Sequence, residues 1–178
     1  MRFLMLLLAA AQLVLFTISS DADPRDRCLT GRFKGITETD PNGVVIGHAD
    51  KFDWGCIAAA DLPVPLTIQG GGIPPVPPPD ALCLGPAAPN PVPGGQVRLT
   101  FTLPVTAEVE LSIYQQTRGA GPPQALKVIT LLEGTHVIGV HEVVWDLRDP
   151  AGIPVLPGIY RAVLRLGSAM LCGDIQVL

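Results

Sequence analysis

From residue 82 to the C-terminus the chain alternates between apolar and polar positions. Val97-Arg98-Leu99-Thr100-Phe101-Thr102-Leu103 does so without a break. Val109, Leu111 and Ile113 fall on one side of the next run, with Glu108, Glu110 and Ser112 on the other. Farther on, Tyr160, Ala162, Leu164 and Leu166 alternate with Arg161 and Arg165. Successive side chains of a strand point to opposite faces, so period two predicts half-buried strands with the arginines outward. Strands are predicted at 96–103, 107–115, 125–132, 137–147, 158–166 and 169–177, with Asp149-Pro150-Ala151-Gly152 as a turn. Short strands separated by turn signals predict an all-β sandwich of two packed sheets.

Upstream the pattern is weaker. Thr30 to Thr37 alternates loosely, Asp40-Pro41-Asn42-Gly43 has turn composition, and Val44-Val45-Ile46-Gly47 reads as the returning arm of a hairpin. Phe52, Trp54 and Ile57 add apolar bulk, and Leu66-Thr67-Ile68 suggests one more strand. Residues 23–69 thus form a small β-rich segment, too short to build a large core alone. Residues 70–81 carry Gly70-Gly71-Gly72 and a run of prolines to Pro79. Proline fixes φ and lacks a donor, so this stretch reads as an extended polyproline linker. At the N-terminus, Arg2, the apolar run from Phe3 to Ile18 and Ser20-Asp21-Ala22 have the layout of a signal peptide, residues 1–22. The run is shorter than the ~20 residues a spanning helix needs, so no transmembrane segment is expected in the mature chain.

Export gives the four cysteines a meaning. Cys28, Cys56, Cys83 and Cys172 are an even set without a Cys-x-x-Cys pair, which points to two disulfides rather than to zinc. Three pairings are open. The expected one gives each segment its own bond, Cys28–Cys56 and Cys83–Cys172. A net charge of −4 with scattered Lys and Arg excludes a phosphate-binding stripe, and nucleic acid with it.

Candidate chemistry is sparse. His136 and His141, five apart and read as lying on or near one strand, are expected on opposite faces. Ser112 and Ser168 sit in no Gly-x-Ser-x-Gly elbow. His48, Asp50 and Asp53 beside Trp54 are the one candidate metal cluster, short of the 6–8 oxygens calcium takes. No cofactor is expected.

A set of ordered motifs remains. Pro89-Asn90-Pro91 precedes the first alternating strand, Trp145-Asp146 precedes an Asp-x-x-Gly turn, and Gly158-Ile159-Tyr160 opens the second strand from the end. In this order, residues 82–178 resemble the immunoglobulin-like domain of flagellar hook-capping proteins and the related C-terminal sorting domains of bacterial type IX secretion. The chain departs from those families in placing Val92 after the motif, in the segment Thr117 to Gln124, and in a tail, Ile175-Gln176-Val177-Leu178, without lysines. The resemblance implies an immunoglobulin-like β-sandwich and a non-enzymatic exported bacterial protein. Its module would serve sorting, cell-surface attachment or assembly, in the periplasm, at the cell surface or outside the cell. The implied partner is a protein or the secretion machinery. Two alternatives stand beside it: a structural subunit that pairs through sandwich edge strands, and a small metal-dependent hydrolase. The motif residues are expected to work structurally. Trp145 and Tyr160 should be core anchors, Asp146 should hold the following turn, and Gly158 should ease the start of its strand.

Overall fold

The computed structural model of the chain describes residues 28–33, 35–50, 53–62, 80–117 and 124–178. The expected signal peptide, the strand Leu66–Ile68, the proline run and most of the Thr117–Gln124 segment lie outside the described residues.

Among the described residues the strands are β1 (Gly55–Ala58), β2 (Ala81–Leu84), β3 (Val97–Leu103), β4 (Ala107–Gln116), β5 (Ala125–His136), β6 (Gly139–Trp145), β7 (Gly158–Leu166) and β8 (Ala169–Val177). They form two four-stranded sheets, ordered β1-β2-β3-β6 and β5-β4-β7-β8. All the strand pairs are antiparallel. The all-β sandwich expected from the alternation is present. Leu99, Phe101 and Leu103 of β3 meet Leu111, Ile113, Leu164 and Ile175 of the facing sheet in one buried cluster that also holds Trp145 and Tyr160. This interleaving of two inner faces is the source of a sandwich's cohesion.

Strand boundaries move most around β5 and β6: β5 runs on to His136 rather than stopping at 132, and β6 spans Gly139–Trp145 rather than 137–147. The chain therefore turns at 137–138. His136 and His141 lie on different strands, and their rings meet edge to face at 5.6 Å. Opposite faces of a single strand is the wrong geometry for them, because the turn falls between the two residues.

The N-terminal hairpin is shifted as well. Its tip is the expected turn: Asp40 Oδ1 accepts from the Asn42 and Val44 amides, both at 2.9 Å, and Gly43 takes φ +85°. The arms, however, are 38–40 and 44–48. Glu38 N donates to His48 O at 2.7 Å, and Thr39 bridges Val45. The expected first arm, Thr30–Thr37, does not pair with the second. It lies over the outer face of the second sheet instead.

The upstream segment is therefore built into the sandwich at two places. β1 extends the first sheet by pairing with β2, register Cys56 opposite Cys83. Residues 28–33 and 35–50, here called the strap, cross β7 and β8 and wrap the β8 edge. This placement decides the disulfides, which are Cys28–Cys172 and Cys56–Cys83. The expected pairing, Cys28–Cys56 and Cys83–Cys172, is corrected. Cys56 and Cys83 are cross-strand neighbours, and Cys28 lies over the outward-facing Cys172, so both bonds join the two segments instead of closing each one.

Candidate functional site

The strap covers a polar centre that alternation alone hides. Arg161 of β7 and Asp174 of β8 are register partners on the outer face. A guanidinium left in water there would be ordinary, but both side chains are almost fully buried, at 7% and 0% exposure. The alternation places Arg161 outward. It does point away from the core, but the strap lies over it. Its Nε and Nη2 donate to the two Asp174 oxygens at 2.6 and 2.9 Å. Its Nη1 donates to Cys28 O at 3.2 Å and its Nη2 to Arg32 O at 3.3 Å. The Phe33 ring stacks on the guanidinium at 4.2 Å. A buried charge needs a partner and hydrogen bonds, and here the strap's own carbonyls complete the set. Around this pair, Cys28, Phe33, Tyr114 and Val163 form a second, smaller apolar cluster outside the sheet.

Asn90, the centre of the Pro89-Asn90-Pro91 motif, fastens the strap to the last strand. It is fully buried. Its Nδ2 donates to Thr37 O at 3.0 Å and to Asp174 O at 2.9 Å, while its Oδ1 accepts from Gln176 N at 2.9 Å. Its backbone exchanges two hydrogen bonds with Thr39, at 2.8 and 3.2 Å. An amide satisfied on every side in this way is a strong positional constraint. The prolines flanking it carry no amide hydrogen, so the bonds of the motif converge on Asn90 itself.

The other motif residues also have packing and turn roles. Trp145 and Tyr160 are buried and meet edge to face at 5.4 Å. Trp145 Nε1 donates to Arg148 O at 3.0 Å, and the Tyr160 hydroxyl donates to Leu156 O at 2.7 Å. Asp146 Oδ1 accepts from Arg148 N at 3.2 Å. The turn after it is held more strongly by Asp149, whose Oδ1 accepts from Ala151 and Ile153, both at 2.9 Å. Gly158 opens β7 opposite Val177.

The candidate cluster of His48, Asp50 and Asp53 separates. His48 is exposed, and Asp50 N is tied to Thr37 Oγ1 at 3.1 Å. Asp53 turns toward the buried pair. Burial first, and then the charge of Asp174, push its carboxyl up to about 7. Its Oδ2 is buried with no hydrogen-bond partner. Next to it Trp54 N donates to Cys172 O at 2.8 Å. The Trp54 indole fills the space over Gly173, where an added Cβ would lie 2.2 Å from the ring. Among the described residues no three His, Cys, Asp or Glu side chains converge as metal ligands. Ser112, which sits in no nucleophile elbow, is buried between Glu110 (2.6 Å) and Thr130 (3.1 Å).

The sequence hints at this site only indirectly. Cys172 and Asp174 are two apart and so share the face of Arg161, but no pattern in the strap shows that it covers them.

No protein family matches the chain, and no curated protein matches it. Among solved structures, an uncharacterized protein from Bacillus anthracis str. Ames is similar over 47% of this chain and 71% of its own, at 19% identity and a TM-score of 0.36. A Pseudomonas fluorescens alkylpurine DNA glycosylase, AlkC, is similar over 48% of this chain at 17% identity and a TM-score of 0.31. A Listeria innocua beta-glucosidase is similar over 54% at 14% identity and a TM-score of 0.34. The chain spans 26% of the glycosylase and 15% of the glucosidase.

Proposed function

We propose that this is a non-enzymatic exported protein whose immunoglobulin-like sandwich acts as a sorting, attachment or assembly module. The observation that carries the reading is the work done by its motif residues. Asn90, Trp145, Asp146 and Tyr160 are all engaged in packing, in fastening the strap or in holding turns. A module organised in this way presents a rigid surface. Two disulfides suit an oxidising compartment, and among the described residues no helix is long and apolar enough to cross a membrane. The test is transplantation. A reporter carrying an export signal is fused ahead of residues 28–178, and cells and medium are fractionated. The module should move the reporter to the cell surface or the medium. A reporter distributed identically with and without the module overturns the reading.

One observation favours the assembly form of this reading. β6 is an edge strand of its sheet, and Val140 and Val144 on its outer face are 69% and 46% exposed. Apolar edge strands recruit further strands, and natural sheets usually guard against this. Large particles on size exclusion that Val140→Lys disperses would support a structural subunit; a monomer in both forms would exclude it.

A further inference from the structure

The contact between Asp53-Trp54 and β8 joins a titratable group to the closing of the sandwich edge. Asp53 is half-buried, with one carboxylate oxygen that has no hydrogen-bond partner. The charged groups that face it are Asp50 from its own segment, Asp174 from β8 and Arg161 from β7. The cation among them already holds Asp174 at two points. A hydrogen bond from the Asp174 backbone and the charge of Arg161 favour the ionised Asp53, but burial and the carboxylate of Asp174 outweigh them, so a second carboxylate beside that pair is poorly compensated when ionised. The seat next to it is strained: Trp54 takes φ +60°, a left-handed conformation unfavourable for a residue other than glycine. Opening would relieve that strain. Cys56, two residues beyond, is bonded to Cys83 of β2, so an opening there stays local.

We propose that this contact is a proton-gated latch: a neutral Asp53 seats Trp54 on β8, and an ionised Asp53 releases it. The elevation of the Asp53 carboxyl to about 7 puts the transition near neutrality, within reach of the medium an exported protein meets. The closed state binds the proton more tightly than the open state. Opening is therefore favoured as pH rises, and the latch closes as pH falls.

The experiment is amide hydrogen exchange on the full chain with both disulfides intact, between pH 5 and 8, with intrinsic rates divided out. The reporter is the Trp54 amide, which donates to Cys172 O at 2.8 Å. Its protection should fall on the order of tenfold or more across that range. In Asp53→Asn it should stay flat, and in Asp50→Asn the fall should persist. Protection constant within about twofold in the wild type, or an equal fall in Asp53→Asn, would overturn the latch. Carboxyl carbon NMR of the wild type needs no variant to fold. An Asp53 midpoint near neutrality supports the latch, and a midpoint near the ordinary ~4 of an aspartate refutes it.

Discussion

Arg161 and Asp174 stand opposite each other on β7 and β8, joined by a two-point ion pair that the strap closes off from water. Breaking such a pair from one side leaves a buried charge uncompensated. Arg161→Ala or Asp174→Ala should each cost about 3–5 kcal/mol in denaturant unfolding. Arg161→Met with Asp174→Leu removes both charges at similar volume and should recover most of that loss. Single variants within 1 kcal/mol of the wild type would mean that the strap does not seal the pair.

The disulfides are testable directly. Non-reducing peptide mapping should recover Cys28 linked to Cys172 and Cys56 linked to Cys83. The first spans 144 residues and the second 27. Chain entropy alone makes them worth at most about 5 and about 3.5 kcal/mol respectively. Cys28→Ser with Cys172→Ser should therefore lower the melting temperature more than the Cys56/Cys83 double variant. A map that returned Cys28–Cys56 would show that the strap is not anchored on β8.

Gly173 provides a separate measure of the Trp54 seat. A methyl group at Gly173 would press into the indole, so Gly173→Ala should destabilise by about 1–3 kcal/mol, as overpacking does. In a Trp54→Ala background the same change should cost much less, and this coupling is what distinguishes a steric clash from a loss of backbone freedom. Additive effects would indicate that the indole is not seated there.

Trp145 and Tyr160 should behave as anchors. Trp145→Ala should cost about 3–5 kcal/mol. Tyr160→Phe keeps the ring and loses the hydroxyl, which donates to Leu156 O at 2.7 Å and accepts from Gln115 Nε2 at 3.4 Å, and should cost about 1 kcal/mol. Equal costs for the two would contradict the buried edge-to-face pair.

The strands of the sandwich were legible because alternation is a direct consequence of the pleat. Leu99, Phe101, Leu111, Ile113 and Leu164 all face the core as their spacing requires. The same rule reads only which face a residue takes, not what lies beyond it. Arg161 and Val163 share the outer face of β7, and both are buried because a segment some 130 positions earlier in the chain lies over them. Period two contains no information about that cover. The disulfides failed for a related reason. Pairing depends on strand order, and β1 joins β2 while the strap crosses β8, an arrangement that proximity in sequence does not imply. Asn90 could be singled out as a motif residue, but its role needs Thr37, Thr39, Asp174 and Gln176 in place together.

The last prediction joins global stability to pH. Asp53 has a folded-state value raised to about 7 from 3.8, mainly by burial and then by Asp174. A raised acid favours the folded state while it is protonated. Its contribution is complete below about pH 4 and is lost as pH climbs toward 7. Asp40 and Glu110 act in the opposite direction. Backbone hydrogen bonds, chiefly from Val44, lower the first, and the Lys127 and Ser112 hydrogen bonds lower the second, so their contributions fade only as pH falls below the ordinary carboxylate range. The two effects therefore occupy different windows. Stability from denaturant unfolding should decline from about pH 4 to pH 7 and also fall on the acid side. Asp53→Asn should raise stability at pH 7 and flatten the decline between 4 and 7, while the acid limb is unchanged. Part of the side chain remains in water, which screens the effect and makes the slope shallower than full burial would give. An Asp53→Asn profile parallel to the wild type throughout would assign the slope to another group and remove Asp53 from the account of the sandwich edge.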